Sequence, residues 1–261
     1  MGKLEKLDDC DLPFSNAPKF LRTLLGGRSN NNTLIEADGA LWVLRISTPN
    51  VSQFGIDRSR EEIALQKAAD AGIAPRIAYR AQSKGILITE FIDGRHWAPS
   101  ALAENSKFDE LVSLIKRVHE LDNNSPVTDY YQHAENYWTQ LVSAGCDIPR
   151  SLRSMRDRVN EQQNEALELG APSTLCHRDI SPSNVIEKNG RLFLIDWEYA
   201  ARGSPTFDYA SIRNEWHVTA KRLIDAAELS STQLHLACDL YQYTCRLWEL
   251  LNLTLEHRGL H

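Results

Sequence analysis

The chain has 261 residues, 42% hydrophobic and 25% charged, with a net charge of −6 and no dominant basic run. This is the balance of an ordinary globular protein of one large or two small domains, and it argues against nucleic acid as the main partner. The five cysteines are odd in number and form no C-x-x-C pair, which argues against a disulfide framework or structural zinc site and for a reducing compartment. No apolar run approaches about 18 residues and residues 1–11 are polar, so no membrane span or signal peptide is expected and the cytoplasm is the expected location.

Residues 1–25 read as a short helical lead-in anchored by Phe14, Phe20, Leu21, Leu24 and Leu25. A glycine turn follows at Gly26-Gly27-Arg28-Ser29-Asn30. Residues 34–36 and 41–46 flank Asp38-Gly39, a dipeptide suited to a two-residue hairpin turn, so a strand, a hairpin and a second strand are expected. Residues 58–71 read as a helix with Gly72 at its C-terminal cap, and residues 77–79 and 86–92 as strands. Up to residue 93 the chain therefore describes a small, mostly antiparallel sheet with one helix.

After Asp93-Gly94 the pattern turns helical. Residues 106–121 have helical periodicity, with Ser106 and Asp109 spaced as a capping box, and residues 130–145 and 150–169 also read as helices. In the helical tail, 207–257, residues Trp216, Leu223, Ile224, Leu234, Leu236, Leu240, Trp248 and Leu250 are spaced for a core. Two lobes, 1–93 and 94–261, are expected, with a ligand cleft between them.

Chemistry concentrates at 177–198. His177-Arg178-Asp179-Ile180-Ser181-Pro182-Ser183-Asn184 is an H-x-D-x-x-x-x-N string; a hairpin around Asn189-Gly190 follows, and Asp196 ends the apolar run 192–195. Phosphoryl transfer needs these parts: a carboxylate facing the hydroxyl nucleophile, then an Asn and a second carboxylate holding magnesium against the phosphates. Asp179 and Asn184 end one short loop and can face one cleft, and Asn184 and Asp196 offer the hard oxygens Mg²⁺ prefers. An ordinary Asx-rich loop and hairpin is the plain alternative, but the full constellation rarely arises by chance. Gly26 and Gly27 lack Cβ atoms that would keep phosphate from the backbone, and Ser29 and Asn30 add donors. Cys176 reads better as a small buried residue at a strand end than as a nucleophile.

These motifs resemble the aminoglycoside phosphotransferase and choline kinase group, which shares the protein-kinase-like fold. Leu194-Ile195-Asp196-Trp197-Glu198-Tyr199-Ala200 is similar to the bacterial choline, ethanolamine and thiamine kinases in particular. The resemblance covers Gly26 to about Ala210. It implies an α+β, two-lobe fold and an ATP- and Mg²⁺-dependent kinase for a small hydroxylated metabolite. Asp179 would accept or orient the hydroxyl proton, while Asn184 and Asp196 hold magnesium. Gly26, Gly27, Ser29, Asn30 and Arg45 would position the phosphates, with Glu61, rather than Glu62, fixing Arg45. Kinase-like folds usually place Lys where this chain has Arg45; a guanidinium can bridge two phosphate oxygens and a carboxylate. The resemblance further sets Glu90 and Ile92 at the link between lobes, against the adenine edge. His177 reads as structural, positioning the catalytic loop rather than transferring protons, and His119 also reads as structural. Asp208 either ties the loop to a helix or caps that helix.

Glu198, with aromatics such as Trp197 and Trp216, suits an ammonium group by cation–π attraction, although most such rings fill cores. Choline, ethanolamine and thiamine each offer a cation and a primary hydroxyl. An aminoglycoside-type or other small-molecule kinase is the alternative, as is a catalytically silent nucleotide-binding module, to which Arg45 lends support. A protein kinase is disfavoured because Asp196-Trp197-Glu198 stands in place of D-F-G, and a metal-dependent hydrolase because further His ligands are missing.

Overall fold

The computed structural model describes residues 7, 9–24, 30–48, 51–122, 124–168 and 173–257. The expected phosphate loop at Gly26, Gly27 and Ser29 lies outside them, as does the anchor Leu25.

The first half builds β1 (Lys19–Thr23), β2 (Asn30–Ala37), β3 (Ala40–Ser47), α1 (Arg58–Asp70), β4 (Ile77–Ala81) and β5 (Ile86–Glu90). The strands form one antiparallel sheet in the order β1-β2-β3-β5-β4. Asp38 and Gly39 both adopt positive φ, 50° and 74°, as the β2–β3 hairpin turn demands. Asp57 caps α1 by accepting from the Ser59 and Arg60 N–H groups, and Gly72 (φ 67°) follows the helix as expected. One sheet face buries Ile35, Leu44, Ile46, Ile86 and Ile88 under Leu7.

The lead-in is a correction: residues 19–23 form an edge strand rather than a helix, with Phe20 46% and Leu21 37% exposed. Pairing with β2 is a non-local gain that local propensity does not encode.

The second half continues through β6 (Arg95–His96), α2 (Asn105–His119), α3 (Tyr130–Ser143), α4 (Arg150–Glu168), β7 (Thr174–Cys176), β8 (Val185–Lys188), β9 (Arg191–Leu194), β10 (Ala201–Gly203), α5 (Thr206–Glu215), α6 (Ala220–Ala227) and α7 (Ser231–His257). The expected capping box is absent: Glu104 occupies the N-cap of α2 and no side chain caps it. α7 is the central helix, packed by α3, α4, α5 and α6. Of its expected core residues, Leu234, Leu236 and Leu240 are buried, while Trp248 and Leu250 are only partly so.

The main hydrophobic core spans both halves. Ala64, Leu65, Ala68 and Ile73 from the first half share it with Ile115, Leu175, Leu194 and Trp197 from the second. The Leu194 N–H donates to the Ile73 carbonyl at 2.8 Å, fastening the β8–β9 hairpin to the turn after α1. No helix among the described residues is long and apolar enough to cross a membrane.

Candidate active site

The loop between β7 and β8 carries Asp179 and Asn184, and buried groups hold it from behind. Asp208, fully buried in the first turn of α5, accepts from the backbone N–H groups of His177 (3.0 Å) and Arg178 (2.6 Å). Its carboxylate also meets His119 Nε2 at 2.9 Å. Burial alone would raise the Asp208 carboxyl, but the bonds from His119 and Arg178 hold it below its ordinary value. Asp208 therefore ties loop to helix, while the N-cap position belongs to Pro205.

His177 Nδ1 accepts from the Asp179 N–H (3.3 Å), so Nε2 is the donor to the Ile195 carbonyl (3.0 Å). Burial lowers its pKa and keeps this imidazole neutral and structural. The Ile180 N–H donates to Ser211 Oγ (2.9 Å), and Trp216 Nε1 donates to the Ile180 carbonyl (2.7 Å). Cys176 is buried and burial pushes its thiol up, which removes it as a nucleophile.

Asn184 Nδ2 donates to Asp179 Oδ2 at 2.7 Å and to the Asp179 carbonyl at 3.0 Å. Those bonds fix the amide so that its oxygen accepts no hydrogen bond among the described residues. Asp179 is raised to about 6, first by burial and then by the negative charge of Glu215. Asp196 follows β9 in the left-handed region (φ 63°, ψ 64°), an uncommon conformation for a residue with a side chain. Burial, then Glu198 and Asp179, drive its carboxyl well above the ordinary range, against which Arg45 is the offset. A crowded carboxylate and a free amide oxygen are the hard-oxygen donors that fit a divalent cation.

On the sheet side, Arg45 of β3 grips Glu61 of α1 through both guanidinium nitrogens, Nη2 to Oε2 at 2.9 Å. Glu62 turns instead to Arg80 (2.9 Å). Glu61 is 2% exposed and also takes Arg58 Nη1 at 2.6 Å. Burial alone would raise the Glu61 carboxyl; Arg45 and Arg58 outweigh it and lower the pKa. Arg58 Nη2 donates to Asn30 Oδ1 (2.6 Å), and Asn30 Nδ2 donates to Glu198 (2.8 Å). Glu198, expected at the acceptor, is thus the buried end of this network. Glu90, at the end of β5, pairs with Arg76 at 3.0 Å, and Ile92 is buried beside it.

On the helical side, Asp179 opens into a cavity of about 280 Å³. Tyr130, Tyr137, Tyr199, Tyr241 and Trp248 supply its rings, and Glu215 and Glu249 add carboxylates. The rings of Trp197 and Trp216, expected there, lie elsewhere. Trp197 is 1% exposed, edge-on to His177 with centroids 4.7 Å apart, and Trp216 sits beneath the catalytic loop. Both pack behind the loop that carries Asp179. Sequence reasoning missed Tyr130, Tyr137, Glu215 and Glu249. Their only local signal is helical periodicity, which core residues share.

A model of the phosphotransferase enzyme family matches residues 21–240, and the chain belongs to that family. Protein LicA of Haemophilus influenzae is 27% identical over 214 residues, covering 80% of this chain and 59% of the relative. The chain thus spans about three-fifths of that relative's length. Among solved structures, choline kinase LicA from Streptococcus pneumoniae aligns with a TM-score of 0.78 at 22% identity, covering 92% of this chain and 87% of that one. A LicA structure in complex with AMP gives 0.79 at 22% identity, with 99% and 90% covered. The architecture is accordingly the α+β, two-lobe, protein-kinase-like fold.

Proposed function

We propose that the chain transfers the terminal phosphoryl group of Mg-ATP to the hydroxyl of a small cationic metabolite of choline, ethanolamine or thiamine type. The observation that carries this reading is the position of Asp179. Its carboxylate opens into a cavity walled by tyrosines, a tryptophan and two glutamates, and it is bonded to Asn184 on the other side.

Aromatic faces attract an ammonium group by roughly 0.5–2 kcal/mol per contact, and Glu215 and Glu249 add charge complementarity. A volume of about 280 Å³ suits a small amine better than an aminoglycoside. The likeness to the LicA choline kinase points the same way.

In this reading Asp179 orients the acceptor hydroxyl and takes its proton. Asn184 and Asp196 are the residues that would hold magnesium, which supplies neutralising charge to the phosphates when bound. Arg45, fixed by Glu61, positions phosphate oxygens, with Asn30 and the backbone of Gly26, Gly27 and Ser29. Glu90 and Ile92 border the adenine. Catalysis then comes from alignment and charge neutralisation rather than covalent chemistry. The five free cysteines accord with a reducing, cytoplasmic setting.

The test is ADP release from Mg-ATP against choline, ethanolamine, thiamine, aminoglycosides, homoserine and simple sugars. Acceptor-dependent ADP with a cationic alcohol is expected. ATP binding without acceptor-dependent ADP from choline, ethanolamine or thiamine would overturn the reading, in favour of another acceptor or a silent nucleotide-binding module.

A further inference from the structure

The acceptor cavity contains two guanidiniums that the proposed reaction does not use. Arg60 of α1 and Arg178 of the catalytic loop both line it. Arg178 is 5% exposed. Their hydrogen bonds go to neutral oxygens. Arg60 Nη1 donates to Thr128 Oγ1 (3.0 Å) and Nη2 to the Gly55 carbonyl (3.2 Å). Arg178 Nη2 donates to the carbonyls of Thr128 (3.0 Å) and Arg202 (3.5 Å). The Nε–H of each is buried without an acceptor. The two therefore converge on Thr128, and among the described residues neither has a carboxylate in ion-pair contact.

Arg45 and Arg58, whose Nε–H groups are likewise buried without an acceptor, differ in being ion-paired. They share Glu61, and Arg156 holds Glu135 at 2.6 Å. Burying like charges side by side without a counter-ion is costly. Burial and the neighbouring Arg60 lower the Arg178 pKa, although Cys176, Tyr130 and Asp208 work the other way. Burial, then Arg178 and Arg60, push His133 down to about 3, so it remains neutral between them. Gly55, Arg60 and His133 also line an open groove outside the cavity, which gives this end a route to solvent.

We propose that Arg60 and Arg178 form an anion-holding end of the acceptor cavity, so that among ammonium-bearing ligands it favours one that also bears a carboxylate. This rests on the reading of the cavity as the acceptor site. The rings, Glu215 and Glu249 take the ammonium, while the guanidiniums take the carboxylate by charge-assisted bonds.

The test is calorimetric titration of the full chain with trimethylglycine, its methyl ester and tetramethylammonium, none of which has a hydroxyl to phosphorylate. Trimethylglycine is expected to bind at least about tenfold tighter than either cation, the scale of one charge-assisted contact. Arg60→Gln should remove that advantage without weakening tetramethylammonium binding. Equal binding of trimethylglycine and its ester to the wild-type chain would overturn the proposal, whatever the variant's folding. So would an equal loss for all three ligands in Arg60→Gln, or no binding by any. Arg60-dependent binding of trimethylglycine without binding of either cation would keep the anion end and remove the cationic reading of the cavity.

Discussion

On the sheet side of the cleft, Arg45, Glu61, Arg58, Asn30 and Glu198 form a chain in which opposite charges and amide dipoles meet at hydrogen-bond distance. On the helical side, Asp179 and Glu215 line one ring-walled cavity, and the guanidiniums of Arg60 and Arg178 hydrogen-bond only to neutral oxygens. In the first arrangement both guanidiniums face a carboxylate; the second holds charges at a cost to the fold. Residues of the paired network should therefore register mainly in stability, and residues of the cavity mainly in activity.

The most severe way to break this contrast is at the carboxylates. Asp179→Ala and Asp196→Ala should each lower kcat by at least about a thousandfold, the scale of losing a positioned catalytic group, with circular dichroism unchanged. Near-normal turnover in either removes the site assignment. Asp179→Asn should be equally inactive yet melt about 2–5 °C higher. The folded chain raises Asp179 from the ordinary 3.8 to about 6, so ionisation disfavours the fold, and the stability lost as pH rises through that window returns when the group is neutral. A lower melting temperature would contradict this.

Glu61→Gln tests the paired side. It leaves Arg45 and Arg58 without their carboxylate and should cost about 3–5 kcal/mol in urea denaturation. A loss below about 1 kcal/mol would mean that the network is not structural.

The contrast sharpens with pH. Because Asp179 must be ionised to take a proton, kcat/KM should fall as pH drops through about 6. Glu215→Gln removes the charge that helps raise Asp179, so the acid limb should move to lower pH while KM for a cationic acceptor rises about tenfold. An unmoved limb would separate Glu215 from Asp179. The smallest effect belongs to Trp216→Phe, which gives up one bond to the Ile180 carbonyl, worth about 1 kcal/mol in thermal or urea unfolding.

Legibility in the sequence followed contiguity. Asp179, Asn184 and Asp196 lie within one loop and hairpin, and Asn189-Gly190 marks the turn by residue type, so this part of the site is written in adjacent letters. The β2–β3 hairpin is legible for the same reason. Arg45 and Glu61 come from a strand and the next helix, and the family pattern links them. The cavity is different. Its walls come from α1, α3, α5, α7, the catalytic loop and the turn at Tyr199, and inward-facing tyrosines there share the spacing of core residues. Glu198, Trp197 and Trp216 drew attention by residue type near the motif, yet their side chains turn to the network or to the back of the loop. The Lys19–Thr23 strand was hidden because it is held by pairing with β2, which local propensity does not encode.

Arg45 also has a consequence for chemical labelling. A lysine at that place in kinase-like folds offers a nucleophilic amine to acylating or aldehyde-bearing nucleotide analogues. A guanidinium held by Glu61, with its pKa raised further despite burial, stays protonated and offers no such lone pair. Reagents that tag kinases through that amine should pass over this position, whether or not the chain has ATP bound.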